Sequence, residues 1–307
     1  MDTFIQQIIN GLVLGSIYAL VALGYTMVYG ILGLINFAHG EVVMIGALTA
    51  LTVIKLLADS GLPGTVVVLI GLLAAIPVCM ALGFTIERIA YRPLRNAPRL
   101  APLITAIGVS IVLQQLAMIF WGRNYHAFPP ILPTSSREIG GAHITDVQIV
   151  IILLAVAIMA GLMLLVNRTR LGRAMRATAE NPQIAGLMGV NINVIISATF
   201  LIGSALAAVA GVMVSANYSI AHYHMGFILG LKAFTAAVLG GIGNLPGAML
   251  GGVLLGLIES LGAGYIGDLT GGFLGSHYQD IFAFLVLILV LVLRPSGLLG
   301  ERVADRA

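Results

Sequence analysis

The chain has 307 residues, of which 59% are hydrophobic and only 9% charged, with a formal net charge of +3. Roughly a quarter of the residues in a soluble domain are charged, so this composition excludes one and points to a polytopic membrane protein. The positive excess does not indicate nucleic acid, because the basic residues sit in connections between apolar runs and form no stripe with interleaved aromatics.

A spanning helix needs about 20 apolar residues. Such runs occupy approximately 8–29, 64–86, 101–121, 147–166 and 192–217, with a shorter one at 42–58 bounded by Lys55 and Asp59. The opening run has no basic residues before it, and its uncharged stretch 3–38 is too long for the core of a cleaved signal, so no signal peptide is expected. Two arginine clusters interrupt the apolar pattern. Arg88, Arg92, Arg95 and Arg99 form one, and Arg168, Arg170, Arg173 and Arg176 the other, together eight of thirteen arginines. Lys and Arg are retained on the cytoplasmic side of inserted helices, so both clusters are expected inside.

That places 122–146 outside, where Pro129, Pro130, Pro133, the pair Gly140-Gly141 and mutually cancelling charges read as a short loop. Counting backwards, the 55–64 turn is outside, 30–41 lies near the inner face and the N-terminus is outside. In the last third, the charge-poor run 227–258 is broken by Gly240-Gly-Ile-Gly243-Asn244-Leu-Pro246-Gly247. An acidic connection with Glu259, Asp268 and Asp280 follows, then a final span at 281–293 and a tail with Arg294, Arg302 and Arg306. With the acidic connection outside and the tail inside, the Gly-Asn-Pro break is a hairpin or re-entrant turn between two short helices. The expected fold is an all-α, polytopic membrane helical bundle of about eight or nine spans, including short or broken helices, forming one domain over 1–307.

Small residues recur at helical spacing in Gly11/Gly15, Ala207/Gly211, Gly226/Gly230, Gly247/Gly251 and Gly252/Gly256. Such faces allow close backbone packing in lipid, inside the subunit or against another. Cys79, the single cysteine, lies inside an apolar run and excludes disulfides and cysteine-based metal sites. No metal site is expected, since His222 and His224 flank Tyr223 without further ligands.

Three constellations stand out. Asn36, His39 and Glu41 sit between two spans, where buried charge is costly. They either line a cavity at a helix break or, for Asn36 and Glu41, cap adjoining helix ends. Gly241-x-x-Asn244 echoes Gly33-x-x-Asn36, which makes a pair of interrupted segments at a repeat interface one reading. The stretch 171–190 combines Gly172, Arg173, Arg176, Glu180 and Asn181 with apolar Ala174, Met175, Leu187 and Met188. It suits short helices that either lie on the membrane or dock into a partner. Lys232 and Glu259 read as isolated charges snorkelling to the interface. No catalytic motif is present. With only Lys55 and Lys232 available, no phosphate-cradling Gly-x-x-x-x-Gly-Lys-Ser/Thr loop can be written, so any ATP hydrolysis belongs to another polypeptide.

Four motifs, Gly33 to Glu41, Glu87-Arg-Ile-Ala-Tyr-Arg-Pro93, Gly172-Arg-Ala-Met-Arg-Ala177 and Lys232 to Ala248, resemble those of the LivH-type permeases of branched-chain amino acid ABC importers. The resemblance implies a permease, not an enzyme, in the bacterial inner membrane. Its partners would be a LivM-type sister permease, two ATPases of LivG/LivF type that bind ATP and Mg, and a periplasmic amino-acid-binding protein. No cofactor would reside in this chain. Residues 168–190 would be the coupling segment, with Gly172, Arg173, Arg176, Glu180 and Asn181 meeting an ATPase. Asn36, His39, Glu41 and Asn244 would lie along the substrate path. Related permeases carry urea, short amides or other amino acids. An ion-coupled secondary transporter or channel using Glu41 and His39 is the alternative from another class.

Overall fold

The computed structural model describes residues 2–95, 97–98, 100–130, 135–139, 141–273 and 278–300. Arg99, Pro133, Gly140, Arg302, Arg306 and the side chain of Asp268 lie outside what it describes. The chain is a bundle of helices: α1 (Asp2–Leu32), α2 (His39–Leu56), α3 (Gly64–Ile86), α4 (Leu100–Trp121), α5 (Asp146–Arg168), α6 (Arg170–Glu180), α7 (Pro182–Leu187), α8 (Ile192–Tyr218), α9 (Met225–Gly240), α10 (Leu245–Leu269) and α11 (Gln279–Leu293). Among the described residues seven helices are long and apolar enough to span, and α9 and α11 are shorter apolar helices. The expected fold class and count therefore hold. The Gly-Asn-Pro break differs in one respect, because it joins the short α9 to the full-length α10 and not two short helices.

α1, α2 and α8 are the enclosed helices, while α3, α4 and α5 turn much apolar surface outward. Outward Leu, Ile and Phe need no burial when lipid is the solvent. The small-residue faces work within the subunit. A Cβ on Gly15 would come 2.7 Å from Val253 Cα, and one on Gly252 would come 2.4 Å from Ala19 Cα, so α1 and α10 touch backbone to backbone. Gly226 and Gly230 do the same against Gly40, and Gly211 against Val43.

The two ends of the bundle are distinguishable. At one end the N-terminal turn of α1 meets the segment after α4, with His143 N donating to Gln6 Oε1 at 2.7 Å. That segment is more ordered than a plain loop. β2 (Ser136–Ile139) and β3 (Ala142–Thr145) form a hairpin, and β1 (His126–Ala127) pairs with β4 (Ile220–Ala221). Gly141, at φ 83°, supplies the left-handed turn that the hairpin needs. Thr145 and Gln148 then form a reciprocal capping box that starts α5. The far end carries both arginine clusters. Arg95 Nη1 donates to Asn193 Oδ1 at 2.6 Å, tying the first cluster to the start of α8 just beyond α6 and α7. The 297–300 segment also lies there, with Leu298 N and Leu299 N donating to Leu239 O and Gly240 O at 2.9 Å. It is the end for which retention of positive charge predicts a cytoplasmic location.

Candidate functional site

At the arginine-bearing end α5 turns sharply into α6. Thr169 caps α6 by accepting from Gly172 N at 3.0 Å. Gly172 is required by space, since a Cβ there would come 2.2 Å from Val166 O. Met175 and Thr178 face inward, and Arg176 Nη1 donates to Val166 O. Asn181 caps α7 through Ile184 N at 3.0 Å, with Pro182 at the first helical position. Arg173 and Glu180 remain exposed, as do the large apolar side chains of Ile184, Leu187 and Met188, the last two at 87% and 81%. Of the five coupling candidates, Gly172 and Asn181 shape the segment, Arg176 is tied back to α5, and Arg173 and Glu180 are free to meet something else.

Beside it the first arginine cluster is organised by Glu87, which is fully buried. Its Oε1 accepts from Arg92 Nε at 3.3 Å and from Arg95, and its Oε2 accepts from Ser197 Oγ at 2.8 Å. Burial lowers the Arg95 pKa from its usual value, and the Glu87 charge opposes that change. The carboxylate sits where α3 passes into a π-helical turn, Glu87–Tyr91, so this connection is clamped to α8. The sequence marked this glutamate only as part of a motif.

The break after α1 rises back into the bundle. Gly33, at φ 63°, ends α1, and a Cβ on Gly24 would come 2.2 Å from His39 Nε2. Gly24 lies eight residues before Leu32, about 12 Å up the helix at 1.5 Å per residue. α2 thus begins alongside the body of α1 and not beyond its end. Asn36 does not cap α2, whose N-cap is Ala38 with no side-chain bond. It accepts instead from Tyr91 Oη at 3.2 Å. His39 is buried, its ring edge-on to Tyr25 at 5.0 Å. Glu41 is also buried, and its Oε1 accepts from Ser110 Oγ at 3.0 Å and Gln114 Nε2 at 2.7 Å, both on α4.

Asn244 stands apart from these three. Its Oδ1 accepts from Gly247 N at 2.9 Å and its Nδ2 donates to Leu299 O at 2.8 Å, so it caps α10 and holds the 297–300 segment. The two breaks still meet at the inner end, where a Cβ on Gly30 would come 3.6 Å from Gly243 O.

Snorkelling does not describe Lys232 and Glu259. Lys232 Nζ lies 2.5 Å from Glu259 Oε1 and 2.5 Å from Asp280 Oδ1, and Tyr18 Oη donates to Glu259 Oε2 at 2.8 Å. Both Lys232 and Glu259 are buried, and the cluster joins α1, α9, α10 and α11. Sequence spacing could not pair residues 27 positions apart on separate helices. On the outer side, His222 has its pKa lowered by burial, with His224 and His126 adding to the effect.

Residues 7–291 match the family model described as branched-chain amino acid transport system, permease component. The chain belongs to this family. It is 50% identical over 303 residues to the high-affinity branched-chain amino acid transport system permease protein BraD of Pseudomonas aeruginosa, covering 97% of this chain and 96% of that one. Identity to the LivH permease protein of Escherichia coli K12 is 46% over the same coverage. A probable LivH protein of Methanocaldococcus jannaschii is 27% identical over 96% of this chain and 92% of its own length. This permease therefore keeps its likeness across the whole membrane bundle, with both helix breaks and the α6–α7 segment included in the matched span.

Proposed function

We propose that the chain is one of two membrane subunits of an ATP-driven importer of branched-chain amino acids in a bacterial inner membrane. The observation that carries this is the α6–α7 segment. It presents exposed Ile184, Leu187 and Met188 beside Arg173 and Glu180 at the arginine-bearing end, in a chain with no phosphate-binding loop of its own. Short helices with apolar knobs and flanking charge fit a groove on a partner, here an ATPase. Because Gly172 seats α6 directly on the end of α5, a push on α6 is passed into a spanning helix without slack. ATP, with Mg, is bound by two such ATPases and closes them. The α6–α7 segment moves as a body, and the permease pair changes from inward to outward facing. A periplasmic binding protein then releases its amino acid into the path, and hydrolysis resets the pair. The partner permease is of LivM type and the ATPases of LivG and LivF type. Asn36, His39 and Glu41 are the polar positions of the path in this subunit.

The test is uptake by the complete complex reconstituted in liposomes with a loaded binding protein. ATP-dependent leucine uptake that Arg173→Glu lowers at least tenfold, with the two permeases still assembled, supports the reading. Uptake by this chain alone, driven by a proton gradient without ATP, would replace it with ion-coupled carriage.

A further inference from the structure

We propose that the cavity between α4 and α9 beside Glu41 is a transit subsite for an apolar amino acid, whose α-ammonium group is drawn to the Ser110 and Gln114 wall by the Glu41 carboxylate behind it; this rests on the permease reading above. Three glutamates are buried among the described residues: Glu41, Glu87 and Glu259. Glu87 is paired with Arg92 and Arg95, and Glu259 with Lys232. Glu41 differs from both. Its only hydrogen-bond partners are the neutral Ser110 and Gln114, both on Oε1, and Oε2 has no partner among the described residues. A buried carboxylate is normally matched by a cation, and none accompanies this one among the described residues.

The open oxygen faces a helix start. A Cβ on Gly226, in the first turn of α9, would come 2.9 Å from Glu41 Oε2, so glycine keeps that approach clear. Glu41 is also in the first turn of its own helix, α2. Two helix N-termini therefore lower the cost of a negative charge at this point while no cation is present.

The cavity next to Glu41 has a volume of ≈ 340 Å³ and is lined by Ser110 and Gln114 together with Phe37, Ile111, Phe227 and Leu231. That size is within the roughly 300–1,000 Å³ of small-ligand sites. Its polar lining comprises Tyr25, His224 and the two residues that already donate to Glu41, and of the latter pair the Gln114 carbonyl oxygen and a Ser110 lone pair remain as acceptors. An ammonium group has three donors and no acceptor, so it suits the acceptors of this wall, with the Glu41 charge directly behind them. The apolar walls suit a branched aliphatic side chain. One end of the ligand is held by charge and the rest by shape alone, which is appropriate to a site that must release what it takes.

The experiment uses the complete reconstituted complex with a leucine-loaded binding protein and compares wild type with two variants. Glu41→Gln keeps the shape and removes the charge. Ile107→Trp, from the exposed side of α4 that lines the same cavity, fills it without touching Glu41. Each is expected to lower leucine uptake at least tenfold with complex assembly and thermal midpoint preserved. Wild-type uptake by either variant overturns the subsite. So does loss of uptake in Glu41→Gln that comes with loss of assembly while Ile107→Trp transports normally, because the carboxylate is then structural. A wild-type complex that moves no branched-chain amino acid fails at the permease reading itself.

Discussion

Lys232 and Glu259 face each other across the α9–α10 pair, Nζ to Oε1 at 2.5 Å, and the same ammonium holds Asp280 at the start of α11. One buried cation thus fastens three helices that follow each other in sequence. Glu259 takes a further bond from Tyr18 on α1, the helix against which α10 packs through glycine. Removing one member of such a pair strands a buried charge, whereas removing both leaves only the partly exposed Asp280 without its ion pair.

Lys232→Met should therefore destabilise the permease by about 3–5 kcal/mol, and Lys232→Met combined with Glu259→Gln by less than the sum of the single changes. Thermal unfolding of the purified complex in detergent, arranged as a double-mutant cycle, measures this. Strict additivity would mean that the two side chains do not interact.

Gly256 is expected to tolerate no side chain. Its Cβ would sit 2.2 Å from the backbone nitrogen of Gly15, and backbone cannot move aside as a flexible side chain can. Gly256→Val should abolish accumulation of folded permease or lower its unfolding midpoint sharply. Gly108→Ala is the control, because a Cβ there meets nothing within 4 Å.

Arg173 and Arg176 are three residues apart on one short helix yet should fail differently. Arg176 is bonded to Val166 O, so Arg176→Ala should cost about 1–3 kcal/mol of stability through the lost charge-assisted bond. Arg173 is exposed, so Arg173→Ala should leave the unfolding midpoint unchanged and weaken co-purification of the ATPases. Equal losses of stability in the two variants would remove Arg173 from the docking surface.

Sidedness can be read by cysteine labelling in a Cys79→Ser background. Met188→Cys, at an 81% exposed position on the arginine-bearing end, should react with an impermeant maleimide only after the cells are opened. Ser60→Cys, in the exposed turn between α2 and α3, should react in intact cells. Labelling of position 188 from outside would invert the bundle and remove the ATPase from the α6–α7 segment.

Much of the architecture was legible in the chain because the bilayer imposes local rules. Length of apolar run, arginine placement and glycine spacing are short-range features, and they identified the spanning helices, the arginine-bearing end, the Gly-Asn-Pro break and the close-packed faces. The short helices of the α6–α7 segment were legible for the same reason, since Ala174, Met175, Leu187 and Met188 lie within a few turns of each other, while the caps at Thr169 and Asn181 came only from the structure.

What the sequence by itself determined is therefore the membrane class, the spanning helices and the family motifs. Only the tertiary structure decided which buried charges have partners. Lys232 and Glu259 are 27 residues apart, Glu87 and Ser197 are 110 apart, and Glu41 meets Ser110 and Gln114 across 69 and 73. No local pattern encodes such pairings, because they arise only when separate helices pack and water is excluded from the space between them. The same packing sets the start of α2 beside Gly24 of α1, so that Glu41 comes to lie next to a cavity.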